Sequence, residues 1–282
     1  MPSPEAVLVT GASTGIGRAI VERLARGGTH VFAAVRDLST VDEHPRLTPV
    51  RLDVTSDQEA REAADTVRDA LGSMRLRGVV NNAGIGIGGP LEFVDLDEVR
   101  RQFEVNLVGQ IAVVQAFLPI LRERGPSDPR ILFTSSIGGR VASPFIGPYA
   151  ASKHALNGMA ESLRRELLPW GFRVSVLAPA TVNTPIWEKA RSEVVEVIDG
   201  LPPRGVELYG DAIRSMQSIV AGANDAGIEP SVVAGAAHHA LFARRPKAEY
   251  LIGREAKMMA TASNLVPYRA FDRLVLRYMR NA

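Results

Sequence analysis

Short apolar runs alternate with longer helical patterns along this chain. Runs near 6–10, 30–35, 48–52, 78–81, 130–135, 172–178 and 249–252 are brief and mostly apolar, as expected of strands buried on both faces. Between them apolar positions recur three and four apart, as at Ile20, Val21 and Leu24 in the helix that stops at Gly27-Gly28. The alternation predicts an α/β fold, a doubly wound Rossmann-type parallel sheet with helices on both faces. Near the end, Phe271, Leu274, Val275 and Tyr278 follow 0, 3, 4, 7 spacing, while Arg269, Arg273, Arg277 and Arg280 gather opposite. That pattern predicts an amphipathic helix. Its stripe has two competing fates, peripheral contact with an anionic membrane or packing on the domain or a sister subunit, and packing is the ordinary fate of a surface helix.

The 282 residues fit one domain, residues 1–253, followed by a helical extension, 254–282, because no Pro/Ser-rich linker divides the chain. A hydrophobic content of 46% is ample for one core. With no cysteine there is neither a disulfide framework nor a thiolate metal site. The five histidines are scattered except His238-His239, neighbours that point apart on a helix, so no metal is expected. The first apolar run belongs to the opening strand and not to a signal peptide. Leu107–Leu121 is interrupted by Gln110, Gln115 and Pro119, so no transmembrane segment is expected, and a cytoplasmic protein is the reading. A net charge of +2 spread through helices argues against nucleic acid as a partner.

Two local patterns carry chemistry. Val7-Leu8-Val9 runs into Gly11-Ala12-Ser13-Thr14-Gly15-Ile16-Gly17, and a helix follows at once. Such a turn lets backbone N–H groups approach a pyrophosphate at the positive end of the helix. Tyr149 and Lys153 stand four apart, thirteen positions after Ser136, which puts phenol and ammonium on one helix face. A lysine charge about 4 Å away would favour the phenolate by roughly 4 kcal/mol, bringing a tyrosine from a pKa near ~10 toward neutrality. Alone, Tyr-x-x-x-Lys is common on solvated helix surfaces; beside a dinucleotide turn it reads as a general acid.

Taken together, these residues resemble the classical short-chain dehydrogenase/reductase family. The match covers Thr10–Gly17, Asn81-Asn82-Ala83-Gly84, Asn106, Ser136, Tyr149 and Lys153, and Pro179–Thr184, where Ala180 replaces the usual glycine. The resemblance implies catalytic roles for Asn106, Ser136, Tyr149 and Lys153. Tyr149 exchanges a proton with the substrate oxygen, Lys153 lowers its pKa and holds the nicotinamide ribose, Ser136 bonds the oxygen, and Asn106 positions a helix and a relay water. It implies a cofactor site at Gly11, Ser13, Thr14, Gly15, Ile16, Gly17, Asp53, Val54, Asn82, Ala83 and Gly84, with Tyr149, Lys153, Pro179, Val182 and Thr184 around the nicotinamide.

Cofactor choice follows from the end of the second strand, where Val35-Arg36 stands in place of the family's ribose-binding acid. Arg36 suits a 2′-phosphate, so NADPH/NADP+ is expected over NAD(H), unless Asp37 turns inward to the ribose. The segment from about 184 to 230 resembles the substrate lid. Ile186 and Trp187, with Phe145, Ser136 and Tyr149, are the expected substrate contacts, and the tail leans toward the retinol and hydroxysteroid dehydrogenase branch. The reading is hydride transfer between NADP(H) and a small hydrophobic alcohol, ketone or aldehyde, in a homodimer or homotetramer built on helices near 100–121 and 150–168. A catalytically silent dinucleotide sensor of the same fold is the alternative; isomerisation or dehydration fits the glycine spacing less well.

Overall fold

The computed structural model describes residues 4–184 and 200–281, without the side chains of 215–226 and 278–281. Seven strands form one parallel sheet in the order β3-β2-β1-β4-β5-β6-β7. They are β1 (Glu5–Thr10), β2 (His30–Val35), β3 (Leu47–Arg51), β4 (Arg75–Asn81), β5 (Arg130–Thr134), β6 (Arg173–Pro179) and β7 (Glu249–Ile252). All seven match the apolar runs to within three residues. The largest difference is β4, which starts at Arg75 because Arg75-Leu76-Arg77 alternates and hides strand character from a search for apolar runs. Arg77 is nonetheless buried, its guanidinium bonded to the Leu241 carbonyl at 2.8 Å and paired with Asp128.

Successive strand residues face opposite ways, and helices cover both sides. On one face Ala6, Leu8, Phe32, Ile131 and Phe133 pack beneath α2 (Asp57–Ala70), α4 (Gly109–Arg124) and α5 (Gly147–Leu167). On the other, Val7, Val9, Val31, Ala33 and Leu132 pack beneath α1 (Gly15–Arg26) and, after α6 (Pro203–Ala226), α7 (Pro230–Phe242). Between β4 and α4 lie α3 (Leu96–Phe103) and one π-helical turn, Glu104–Val108. Among the described residues, the continuous helical stretch Leu96–Arg124 alone has the length and hydropathy to cross a membrane, a property the sequence reading had denied it. Its Val113, Phe117, Ile120 and Leu121 are buried in the core beside α2 and β4, so core packing accounts for that composition.

The chain leaves β1 toward β2 and β3, then returns to place β4 on β1's other side. The crevice opens between β1 and β4, the switch point where ligands of such sheets bind. After β7 come α8 (Arg254–Leu265) and α9 (Tyr268–Asn281), the latter packed against α6 and α8.

Candidate active site

At the end of β1 the backbone turns through Gly11 and Gly15, whose φ angles of 62° and 55° lie in the left-handed region that costs an L-residue about 1–2 kcal/mol. Gly17 is required for closeness instead: a Cβ there would lie 2.0 Å from the Gly11 carbonyl oxygen. Thr14, extended at φ −144°, caps α1 without a side-chain hydrogen bond, and no acid occupies the first turn. The N–H groups at the positive end of α1 are thus left to an anion. Ser13 is half-buried and Thr14 exposed, while Ile16 packs into the core. Asn82 Nδ2 donates to the carbonyls of Thr10 and Gly11 at 3.1 and 3.2 Å. Thr10 Oγ1 accepts the N–H groups of Asn82 and Ala83 at 2.9 and 3.1 Å. From the far side, Thr184 closes on the turn, 3.2 Å from where a Gly15 Cβ would sit. Bonds of 2.9 Å between Asn183 N–H and Ile228 O, and between Ile228 N–H and Thr181 O, hold it there, with Val182 bridged to Ile228. Ala180 is accommodated by Gly253, at φ 98°, where a Cβ would lie 3.3 Å from the Ala180 methyl. A bare helix N-terminus behind a turn admitting only hydrogens is a cradle that fits a dinucleotide pyrophosphate.

Ser136 lies two residues beyond β5, its Oγ accepting the Gly138 N–H at 3.0 Å, and a Cβ on Gly138 would lie 3.4 Å from that Oγ and 3.3 Å from the Tyr149 ring. Tyr149 sits in the first turn of α5. Lys153 follows one turn later, 4% exposed, donating to the Thr134 carbonyl at 2.9 Å with Nζ 5.8 Å from the centre of the Tyr149 ring. Burial lowers the Lys153 pKa to about 8. Burial also raises the phenol's pKa, against the opposing Ser136 hydrogen bond. Here the structure corrects the sequence expectation: lysine and tyrosine do share a face, but burial is the largest influence on the phenol and makes it a weaker acid.

Asn106 is fully buried within the π turn. Its Nδ2 donates to the Ile85 carbonyl at 2.9 Å and Ser152 Oγ at 3.0 Å, and its Oδ1 accepts the Ile85 N–H at 2.8 Å. A Cβ on Gly84 would lie 3.2 Å from Asn106 Oδ1 and 3.4 Å from Lys153 Nζ. Asparagine, lysine and tyrosine therefore converge on the segment after β4, with a Cβ on Gly86 3.7 Å from the Tyr149 ring. Two contributors escaped the sequence reading, Gln102 and Gln110, while Thr10 entered it only as the first position of the glycine motif. The glutamines share a spacing of four with Asn106, but among Asp97, Glu98, Arg100, Arg101 and Glu104 that spacing does not stand out.

At the opposite end of the crevice, Arg36 is exposed immediately after β2. Asp37 accepts the N–H and hydroxyl of Ser39 at 3.0 and 2.8 Å, capping the turn Leu38–Thr40, and these bonds lower its pKa. Asp53 accepts the N–H and hydroxyl of Thr55 at 3.0 and 2.8 Å, which lower its pKa with help from Arg36 and Arg51. Val54 is buried in the core, its carbonyl 2.6 Å from where a Gly109 Cβ would be, so of this pair only Asp53 offers a side chain. Pro179 is buried at the end of β6, in register with Ile252. On the substrate side, Phe145 is half-buried with its ring 6.2 Å from that of Tyr209, which donates to Glu92 at 2.8 Å and meets the Phe93 ring edge-on at 5.9 Å. Ile186 and Trp187 lie outside the described residues.

A family model for short chain dehydrogenases matches residues 5–195. The chain is 31% identical over 280 residues to an NADPH-dependent 3-dehydrocapnine reductase of Ornithobacterium rhinotracheale, covering 97% of this chain and 96% of that one. It is 32% identical over 287 residues to retinol dehydrogenase 5 of Mus musculus, covering 96% and 88%. A short-chain dehydrogenase/reductase from Burkholderia phymatum, solved in complex with NAD, superposes with a TM-score of 0.77 at 26% identity over 92% of both chains. With the parallel sheet and its glycine turn, these matches establish that the chain belongs to the short-chain dehydrogenase family, on its retinol dehydrogenase-like side, as an NAD(P)-dependent oxidoreductase of alcohols and carbonyls.

Proposed function

We propose that the protein interconverts a hydrophobic alcohol and its ketone or aldehyde with NADP(H), using Tyr149 as general acid and base. The carrying observation is that Ser136 and Tyr149 meet beside Gly138, where a Cβ would lie 3.4 Å from Ser136 Oγ and 3.3 Å from the Tyr149 ring, with Lys153 buried behind them. When bound, the dinucleotide supplies or accepts the hydride. The protein's own groups manage the proton and the charge. Ser136 holds a donor where negative charge develops on the substrate oxygen, so its contribution grows toward the transition state. Tyr149, protonated at neutral pH, delivers its proton to that oxygen. Lys153 and Asn106 stand along the route by which the proton is restored.

NADPH is the proposed partner because Arg36 is exposed at the end of β2 and Asp37 is committed to Ser39. The named activity of the Ornithobacterium rhinotracheale relative, an NADPH-dependent reductase, is in keeping with this. The apolar character of the substrate is supported by Phe145, Phe93 and Tyr209 beside the site and by similarity to a retinol dehydrogenase. The test is consumption of NADPH with retinaldehyde, a ketosteroid and a long-chain ketone, alongside Tyr149→Phe. That variant should bind NADPH as the wild type does and lose at least about a thousandfold in kcat; wild-type turnover would defeat the assignment.

A further inference from the structure

Gln102, Asn106 and Gln110 stand four apart along the helical stretch from α3 to α4, each no more than 1% exposed. All three reach the same segment, residues 83–87, at alternate positions. Gln110 Nε2 donates to the Ala83 carbonyl at 2.7 Å, Asn106 exchanges two bonds with Ile85, and Gln102 Oε1 accepts the Ile87 N–H at 2.5 Å. A spacing of four on the helix thus meets a spacing of two on the segment over three rungs, and side-chain amides serve this segment as a neighbouring strand would. Gln110 Nε2 also takes the Val105 carbonyl at 3.2 Å, inside the widened π turn. The segment in turn touches the chemistry, since a Cβ on Gly84 would lie 3.4 Å from Lys153 Nζ and one on Gly86 3.7 Å from the Tyr149 ring.

Resting on the reading of Tyr149 and Lys153 as the proton-transfer pair, we propose that Gln102 and Gln110 are positioning residues: the outer rungs of an amide ladder that holds residues 83–87 against that pair and keeps it in working geometry. The outer rungs have opposite polarity. Backbone chemistry fixes each amide's orientation, because an N–H must meet an oxygen and a carbonyl must meet an NH2. Gln102 uses only its oxygen on the loop and Gln110 only its nitrogen, while Gln102 Nε2 and Gln110 Oε1 have no protein partner. A carboxyl group can replace the first rung in either protonation state. At the second, a carboxylate would set oxygen against oxygen.

The experiment compares Gln102→Met, Gln102→Glu and Gln110→Glu by hydrogen exchange of the Ile85 and Ile87 amides and by the pH profile of NADPH oxidation with the retinaldehyde, ketosteroid and ketone probes. Gln102→Met should speed Ile87 exchange roughly tenfold or more, the size of one lost hydrogen bond. It should also lower kcat about tenfold, shift the pH profile and leave KM for NADPH unchanged. Gln102→Glu should restore both the protection and the profile. Gln110→Glu should lose activity as pH rises and its carboxyl ionises. Equal damage from Met and Glu at 102, or Ile87 protection unmoved by Gln102→Met, would overturn the ladder. Should one variant fail to fold, circular dichroism would identify it and the other two decide the matter. Turnover retained by Tyr149→Phe would instead sink the underlying reading, and the exchange experiment, which needs no turnover, separates the two failures.

Discussion

At the scale of single residues, burial is the dominant electrostatic force in the site. Lys153 titrates near 8 in the folded chain, below the usual 10.5, so the native state holds its proton less tightly than the unfolded one. The sign follows: Lys153 is an ammonium below about pH 8 and neutral above it, and stability from this group rises between about 8 and 10.5 as the cost of burying charge disappears. Carbonyl reduction, which needs the proton, should fall as pH climbs through about 8, while alcohol oxidation should rise. Lys153→Arg, protonated throughout, should lose that limb whatever its absolute rate; a limb unmoved in that variant would assign it to another group. Phe145 supplies a second residue-scale test. Its φ of 65° makes it the single left-handed non-glycine among the described residues, a conformation costing about 1–3 kcal/mol. Phe145→Gly and Phe145→Ala both remove the ring that meets Tyr209, but only glycine relieves the backbone. Thermal unfolding should therefore find the glycine variant more stable by about 1 kcal/mol, the reverse of the usual order.

At the scale of elements, what the sequence makes legible is what repeats. Strands packed on both faces must be apolar throughout, so β1, β2, β5 and β6 announce themselves, and three glycines before a helix announce the turn. Gln102 and Gln110 were opaque for a physical reason: their partners are backbone atoms of a loop without regular structure, and no periodicity in that loop advertises a need for amides. The lysine effect was misjudged because spacing shows that two side chains share a face but says nothing of how much water surrounds them. The tail lies between these cases. Spacing gave a two-faced α9, and the structure places it on α6 and α8 with Phe271 and Val275 half-buried and Leu274 57% exposed. Packing thus uses only part of the stripe. Deleting residues 268–282 should lower the melting temperature by roughly 2–4 °C, as a loss near 1 kcal/mol would. Co-sedimentation with anionic liposomes should be the same with and without it; a loss on deletion would show that the exposed leucines meet lipid.

At the scale of the whole molecule, the parallel sheet lays its functional groups along one edge in strand order. Asp53 follows β3, Arg36 follows β2, the glycine turn follows β1, Asn82 follows β4, Ser136 follows β5, and Pro179 closes β6. In the proposed reading a dinucleotide along that edge meets Arg36 at its adenosine end and Tyr149 near its nicotinamide end, which would put cofactor choice and proton chemistry at opposite ends of the crevice. The separation has a consequence for engineering. Arg36→Asp places a carboxylate where a 2′-phosphate would lie, exchanging an attraction for a repulsion, while leaving Ser136, Tyr149 and Lys153 untouched. The kcat/KM with NADPH should fall by about a hundredfold or more, equivalent to roughly 3 kcal/mol, the worth of one charge-assisted hydrogen bond. The kcat at saturating NADH should stay close to the wild-type value, because the substrate end is unchanged. An Arg36→Asp enzyme that still favours NADPH would place phosphate recognition elsewhere, and Arg18 would be the first residue to examine, since it sits at the start of α1 and already reaches Asp42 at 2.8 Å.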